Sequence, residues 1–438
     1  MPTLTPFRDS LKIPDLRQKI FITLGLLTVY RFGCYVPVPG INGEALSQFF
    51  AQVQGSLFGI ADLFSGGALS QATIFALGIM PYISVSIVLE LLTTMVPALE
   101  SMIKSGVEGR RRLTQMTRQY TVLLCLFQGM MVSLWLENPA NFGGIQMVAN
   151  PGWSFRLMTI ITLTAGTIFL MWLGEQITEK GIGNGISLII SLGIISRYPT
   201  AVKQAIMLTQ TGRLSGLSII LMLILIVGVV SATIILLMGE RRVPVQYARR
   251  VVGRRQYGGQ STYLPVRINQ GGVIPLIFAV SILLFPATIL RFFKSDFSVR
   301  VAALLDPGGL LYNILYALLT LFFCYFYAAV SFRPESVADD LRKYGGFIAG
   351  IRPGKATSEY LEKILVYITF PGALFLVGIA LFPYLIMRIF KIPYLVASLF
   401  GGIGLLIIVA VLIETIRQVE AHLLMRHYEG FLKKARIK

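Results

Sequence analysis

The sequence predicts an all-α integral membrane protein with ten transmembrane helices arranged in two halves of five. Three observations lead to this fold class: 55% of the 438 residues are hydrophobic, only 14% are charged, and the mean hydropathy is +0.72. A single water-soluble core does not bury so large an apolar share, so a membrane protein is the expected class.

The apolar segments give the helices in order. A bilayer core of roughly 30 Å needs about 20 mainly apolar residues per helix, and ten segments approach or meet that length. We predict spans at 20–36, 73–95, 120–136, 157–173, 182–195, 217–238, 273–290, 310–330, 364–387 and 395–413. The first runs into "RFGCYVPVPG" without a small-residue cleavage site, so it is expected to remain as a helix.

Basic residues predict the orientation of these spans. The N-terminus and the connections after even-numbered spans hold 29 of the 39 Lys and Arg residues. Cytoplasmic segments carry such an excess, so both termini are predicted to be cytoplasmic. The same bias explains most of the net charge of +18, although ribosomal RNA or an acidic motor protein remain possible users of the surplus.

Ten spans divide into an N-terminal half, 1–205, and a C-terminal half, 206–438. Because each half has an odd number of spans, the second starts on the opposite side of the membrane, as in inverted repeats around a central pathway. "GIMPYIS" and "GGVIPLIFAVSILLFPATI" stand in the second span of each half and echo one another. Chance similarity is the alternative, since Pro and Gly are common in membrane helices.

Two long cytoplasmic connections are predicted, at 239–272 and 331–363. Long loops in compact proteins usually carry function. The first alternates β-forming residues with arginines around "YGGQ", which predicts a hairpin projecting from the membrane. A solvated basic loop that only fixes topology is the alternative.

The predicted spans contain only two ionisable side chains, Arg31 and Glu90. An ion-coupled transporter keeps carboxylates or histidines within the membrane to bind ions or substrate, so the pattern disfavours a secondary transporter. We interpret Glu90 as a polar contact between helices rather than a relay residue.

Nothing in the sequence predicts a catalytic, nucleotide or metal site, so no cofactor is expected. "GIRPGKAT" lacks the glycine that a phosphate-binding loop has five residues before Gly354. Both histidines, His422 and His427, lie in the C-terminal tail. The cysteines lack CxxC spacing and stand in separate apolar segments, which favours packing roles over a disulfide or zinc site: Cys34, Cys125 and Cys324.

Four segments together resemble the bacterial SecY family, whose members form the central subunit of the protein-conducting channel of the Sec translocon. They are "FSGGALSQATIFALGIMPYIS", "MWLGEQITEKGIGNGIS", "GGVIPLIFAVSILLFPATI" and "GGFIAGIRPG". The resemblance implies a passive, non-enzymatic channel with an hourglass pore in the cell inner (plasma) membrane. It carries secretory precursor polypeptides and releases signal sequences and membrane segments sideways into lipids. Implied partners are SecE, SecG, the SecA ATPase and the ribosome.

The resemblance also implies a ring of isoleucines at the narrowest point of the pore. Isoleucine offers no side-chain hydrogen bonds and is stiff at Cβ, so a narrow ring would shed water and show little preference among passing sequences. The matching positions are Ile79, Ile83, Ile186, Ile190, Ile277 and Ile407.

A plug and a lateral gate follow from the same resemblance. The plug is a short helix near 59–70 that closes the pore at rest, and Gly66 and Gly67 separate it from the next span. Its residues include Leu63, Phe64, Ser65, Gly66 and Gly67. Glu90 and Phe285 are implied to flank the lateral gate, with Met95 nearby. Glu90 stands where many members carry an uncharged amide, so the gate's polar contact is left open.

The two cytoplasmic loops are implied to dock the motor or the ribosome. Arg352 in "GIRPG" matches an arginine needed for motor-driven transport, and Arg254 and Arg255 in "GRRQYGGQ" are implied contacts to ribosomal RNA, because arginine binds phosphates without regard to sequence. A small-solute transporter and a membrane scaffold or insertase remain the rival hypotheses. The transporter requires more buried ionisable groups, and the scaffold requires neither a plug nor a continuous apolar ring.

Overall fold

The computed structural model describes residues 13–52, 57–212, 214–247, 250–252, 255–257, 261–292, 301 and 309–435, and within them the chain is mostly helical. The N-terminal half contains α1 (Pro14–Gly33), α2 (Gly43–Gln52), α3 (Leu57–Phe64), α4 (Met80–Met95), α5 (Pro97–Lys104), α6 (Val107–Glu137), α7 (Trp153–Lys180), α8 (Gly185–Ile195) and α9 (Tyr198–Gln210). The predicted boundary at 205 falls inside α9, and the division into halves stays a prediction.

The C-terminal half mixes long helices with short strands. In chain order it contains α10 (Gly216–Met238), β1 (Glu240–Tyr247), β2 (Arg250–Val252), β3 (Arg255–Tyr257), β4 (Ser261–Arg267), α11 (Ile274–Phe292), α12 (Leu310–Ser331), α13 (Pro334–Lys343), β5 (Gly346–Phe347), α14 (Lys355–Phe390), α15 (Tyr394–Ala397) and α16 (Gly402–Ala435).

Most of the predicted spans coincide with helices. In the described ranges seven helices are long and apolar enough to cross a membrane, and the number is eight if α4 and Pro97–Ile103 of α5, which are bent by 102°, are taken as one broken span. Helix α1 occupies the first predicted span but carries several charged residues, and Ile274–Leu283 of α11 is counted as a shorter apolar helix. The exposed apolar surface of α10 is suited to lipid, since only 17% of its most apolar stretch of 18 residues is buried.

One predicted span begins too early in the sequence. The second was predicted from residue 73, but its helix begins at Met80, because the preceding chain turns through Ala72 and Gly78, both with positive φ. The tenth was predicted from residue 395 and lies within an apolar span over Tyr394–Met425, although the chain changes direction between α15 and α16, where Gly402 has a φ of +85°. Hydropathy alone does not register these changes of backbone direction.

The short fifth span has a defined start. The Asn184 side-chain oxygen accepts hydrogen bonds from the backbone N–H groups of Ile186 at 3.1 Å and Ser187 at 3.3 Å. Asparagine at this position satisfies amides that have no partner in the first helical turn. The "GIGNG" motif therefore ends one helix and begins α8.

The two predicted cytoplasmic loops meet in one small sheet. Strand β1 pairs antiparallel with β4, from Glu240 opposite Arg267 to Gln246 opposite Ser261, which confirms the hairpin. "YGGQ" is not its tip, because Tyr257 pairs with Arg250 and the connection between β2 and β3 is at 253–254, outside the described residues. On the other side of β1, β5 of the second loop pairs with Gln246 and Tyr247.

Helices of the two predicted halves touch at several places. Helix α8 packs on α16, α4 packs on α11, and α3 contacts both α8 and α11. The short helix α3 therefore lies between elements from both ends of the chain. The cysteines Cys34, Cys125 and Cys324 are buried and unpaired, as predicted for packing residues.

Close packing of α7 on the chain before α4 generates a stability prediction. A Cβ at Gly166 would overlap the backbone carbonyl of Ile74, whereas one at Gly228 on α10 would meet nothing within 4 Å. We expect Gly166→Val to lower the free energy of unfolding by about 1–3 kcal/mol, because neither backbone yields easily.

Gly228→Val is the matched control and should leave stability near the wild-type value. Thermal unfolding of both variants in detergent checks the prediction. Equal unfolding temperatures for the two would contradict the proposed contact.

Candidate functional site

A single apolar cluster brings together all six isoleucines assigned to the ring. Ile79, Ile190 and Ile407 are buried members with 3%, 4% and 3% exposure, and the other three are half-buried and pack against the cluster: Ile83, Ile186 and Ile277. They come from elements of both predicted halves. The sequence separates them by hundreds of residues, and the fold collects them.

Local structure determines where each pair points. Ile79 precedes α4 and its carbonyl accepts the first helical hydrogen bond, from Ile83 N–H at 3.1 Å. Ile186 and Ile190 are one turn apart on α8, directly after the Asn184 cap, so they share a helix face. Ile277 lies in the first turn of α11 and Ile407 in the second turn of α16.

Helix α3 contributes to the same cluster. Its residues Ile60, Leu63 and Phe64 are buried members with 2%, 7% and 4% exposure. The helix ends at Phe64, and Ser65, which is also buried, is followed by Gly66 and Gly67 with φ of +68° and +91°. The segment assigned to the plug thus packs against the isoleucine cluster, and a glycine turn separates it from α4.

Polar groups hold the other face of this segment. Asp62 of α3 forms an ion pair with Arg197, which lies between α8 and α9, and the Arg197 guanidinium also donates to Ser70 Oγ at 3.0 Å. The Ser70 backbone N–H donates to Asp62 Oδ1 at 2.7 Å. Asp62 and Arg197 were not among the predicted site residues, although Asp62 lies within the predicted plug range of 59–70. The signal that could have identified Asp62 is its position as the one acidic residue in the apolar stretch "LFGIADLFSGG".

Further polar contacts reach the glycine turn. The Gly66 carbonyl accepts hydrogen bonds from Arg31 Nη1 and Ser196 Oγ, both at 3.3 Å. A Cβ at Gly66 would lie 2.8 Å from the Cα of Gly193, so two glycines allow the turn and α8 to approach. One of the two ionisable residues predicted inside the spans, Arg31, therefore contacts the segment assigned to the plug.

The residues assigned to the lateral gate lie on neighbouring helices. Half-buried Glu90 of α4 accepts a long hydrogen bond of 3.5 Å from the Tyr327 hydroxyl of α12. The Tyr327 ring stands edge-on to Phe278 of α11 at 6.2 Å. Phe285 lies on α11, but its side chain is outside the described residues, and Met95 at the end of α4 is 75% exposed. Glu90 is the observed polar contact between helices.

The three arginines assigned to docking have different surroundings. Arg352 is exposed in the turn between β5 and α14, and its carbonyl accepts from the Thr357 hydroxyl at 2.9 Å. Ile348 in the same turn is buried against Val243 and Leu361, which fixes the turn to the sheet. Arg255 lies in β3 with its side chain outside the described residues, and Arg254 lies wholly outside them.

The six isoleucines and the apolar residues of α3 form one apolar cluster. A ring of such branched side chains, closed by an apolar helix, would exclude water and ions. Within the described part of the chain no group of three or more His, Cys, Asp or Glu residues is placed to hold a metal ion.

Comparisons with known proteins show which family and which fold the chain resembles. Residues 73–416 match the family model described as SecY. The protein translocase subunit SecY of Aquifex aeolicus is 44% identical over 424 residues, covering 97% of this chain and 98% of the relative. The subunit of the same description from Thermotoga maritima is 43% identical over 442 residues, covering 99% and 98%.

Solved structures share the fold at low sequence identity. A structure of a protein-conducting channel aligns with a TM-score of 0.64 and 18% identity, over 92% of each chain. One of a SecY protein, described in terms of a plug domain that stabilises the closed channel and maintains a membrane seal, gives 0.61 and 18% over the same shares. Sec61 in a canine ribosome–channel complex gives 0.60 and 17%, again over 92% of each.

Proposed function

The chain belongs to the SecY family of protein translocase subunits, and from that premise we propose which of its residues conduct an unfolded polypeptide. It is a multi-pass membrane protein that forms a protein-conducting channel and is not itself an enzyme. The observation that carries the proposal is the packing of six isoleucines and α3 into one cluster.

The isoleucine ring is the seal of the channel. Ile79 directly before α4, Ile190 of α8 and Ile407 of α16 are buried in one apolar cluster. A passing chain would meet apolar, stiff side chains that tolerate any sequence. Between substrates, α3 fills the space beside the ring as the plug, and the glycines after it provide the turn about which it moves.

Cross-linking tests the pore. In a cysteine-free protein reconstituted with its partners and a stalled precursor, single cysteines at Ile83, Ile190, Ile277 and Ile407 should each form a disulfide with a cysteine in the precursor. Ile224 and Ile235 on α10 are matched controls, because they are 63% and 72% exposed on the surface suited to lipid.

Disulfides at the four ring positions and at neither control would support a ring that encircles the polypeptide. A bound precursor that cross-links at none of the four positions would refute the pore assignment, and a scaffold or insertase without an aqueous route would then be the better hypothesis.

The lateral gate lies where α4 meets α11 and α12. Tyr327 holds Glu90 across this seam with one hydrogen bond, while Phe278 supports the tyrosine ring. Signal sequences and membrane segments would leave toward lipid here when the contact breaks. A single polar contact between otherwise apolar helices stabilises the closed gate only weakly. A weak restraint is what a gate that opens for each substrate requires.

Removing that contact should ease opening. A hydrogen bond contributes about 0.5–1.5 kcal/mol, so Tyr327→Phe should raise the insertion of a marginally hydrophobic membrane segment about 2- to 10-fold. Tyr325→Phe, on the same helix and without a hydrogen bond to Glu90, is the control. Insertion assays with a graded series of segments measure the effect.

If Tyr325→Phe changed insertion as much as Tyr327→Phe, the contact with Glu90 would not be the gate's polar restraint. Glu90→Gln should behave close to wild type, because an amide oxygen still accepts the tyrosine hydrogen bond.

We assign the channel to the cell inner membrane with both termini in the cytoplasm, on the strength of the Lys and Arg distribution. This orientation puts the small sheet in the cytoplasm, where β5 joins the second loop to the first. The sheet is the proposed platform for the SecA ATPase or a translating ribosome, as a related Sec61 is found in a ribosome–channel complex. SecE and SecG are the proposed membrane partners.

Arg352 offers a sharp test of docking. Reversal of an interfacial charge places like charges together, so Arg352→Glu should slow motor-driven export at least about tenfold. Arg342→Glu reverses another exposed arginine of the same loop, on α13, and this variant should export at the normal rate.

Export of a model precursor into inverted membrane vesicles measures both rates, with equal amounts of each variant in the membrane. Normal export by Arg352→Glu would contradict the docking role, and slow export by both variants would indicate a general charge effect.

A further inference from the structure

We propose that Asp62, Arg197 and Ser70 form a polar latch that holds the plug in place and thereby sets how strong a signal sequence must be to open the channel. The inference rests on the proposed role of α3 as the plug and adds the residues that determine its stringency. The latch joins the proposed plug segment to Arg197, which lies in the turn between α8 and α9.

The latch is a closed set of contacts. Arg197 pairs with the Asp62 carboxylate and donates to Ser70 Oγ at 3.0 Å. Ser70 in turn donates its N–H to Asp62 at 2.7 Å and its hydroxyl to the Gly67 carbonyl at 3.0 Å. Asp62 precedes the glycine turn and Ser70 follows it, so the Arg197 guanidinium binds residues on both sides of the turn.

Because Asp62 and Arg197 are largely buried, the loss of either partner should strongly destabilise the closed position of the plug. The side chains of Asp62 and Arg197 are 6% and 21% exposed. A charge in such surroundings is strongly destabilising when its partner is removed, while loss of both charges costs much less. Apolar packing of Leu63 and Phe64 against the ring is non-directional and does not fix where the plug stops. The charge-assisted hydrogen bonds do fix it, because they have defined geometry.

A cavity of about 230 Å³ borders the latch and explains how it can open. Asp62, Ser70 and Arg197 line it, together with Thr200 and Gln204. The Gln204 side-chain oxygen is buried without a hydrogen-bond partner among the described residues, so the cavity has polar groups to hold water. Water there can replace the Arg197 contacts as Asp62 departs with the plug.

The chain supplies a matched control pair on the same predicted side of the membrane. Arg156 pairs with Glu137 at 2.7 Å, and their side chains are 26% and 8% exposed, close to the values for the latch. This pair links the end of α6 to the start of α7 and does not touch α3.

The experiment measures two quantities on the full complex in membranes: ion conductance of the resting channel, and export of a precursor with a defective signal sequence. Six variants are compared at equal abundance: Asp62→Asn, Arg197→Gln, the double variant of both, Arg197→Lys, Glu137→Gln, and deletion of residues 59–70.

We expect each latch single variant to raise both readouts at least about tenfold, because one buried charge loses its partner. The double variant should show no more than the larger single effect, since no unpaired charge remains. Arg197→Lys keeps the charge but not the forked geometry and should fall between wild type and Arg197→Gln. Glu137→Gln should match wild type in both readouts.

Two results would overturn the latch. Unchanged readouts in both single variants, with raised conductance after deletion of 59–70, would leave the plug in place without a latch. Single effects that multiply in the double variant would show that the residues act independently. If the deletion itself left conductance unchanged, the plug assignment under the proposed function would fail instead.

Discussion

The structure depends on one constraint: a route through a membrane must be closed with apolar side chains alone. In the proposed channel, this constraint is met by Ile79 directly before α4, Ile190 of α8 and Ile407 of α16, which are far apart in sequence. Because each is branched at Cβ, the proposed ring keeps its shape with little rotamer freedom. The proposed plug and gate and the glycine turns would position or release this contact.

The chain that connects the proposed plug helix α3 to α4 is irregular over residues 65–79. Irregular backbone is tolerated in a membrane where protein or a cavity satisfies its polar groups. Here Arg31 and Ser196 donate to the Gly66 carbonyl, and Gly193 lets α8 approach. These polar contacts thus stabilise a non-helical segment. A continuous helix in its place would be less able to move separately from α4.

Hydropathy was sufficient to place most helices, because length and apolarity are local properties of the sequence. It failed to predict the start of α4, because the positive φ of Gly78 changes the chain direction without changing composition. The two-residue strand β5 was not predicted because its pairing with β1 is non-local. The Asp62–Arg197 ion pair was not predicted for the same reason, because nothing in the sequence around either residue indicates its partner.

In the proposed channel, one helix carries both a gate residue and a ring residue. Ile83 and Glu90 are seven residues apart on α4, so they lie on the same face, two turns from each other. If α4 moved as a rigid body and Glu90 left Tyr327, Ile83 would leave its neighbours in the cluster, and the chain before Met80 connects this helix to α3. On this hypothesis a signal sequence that opens the proposed gate would also loosen the proposed seal and displace the proposed plug, because all three are attached to the same helix.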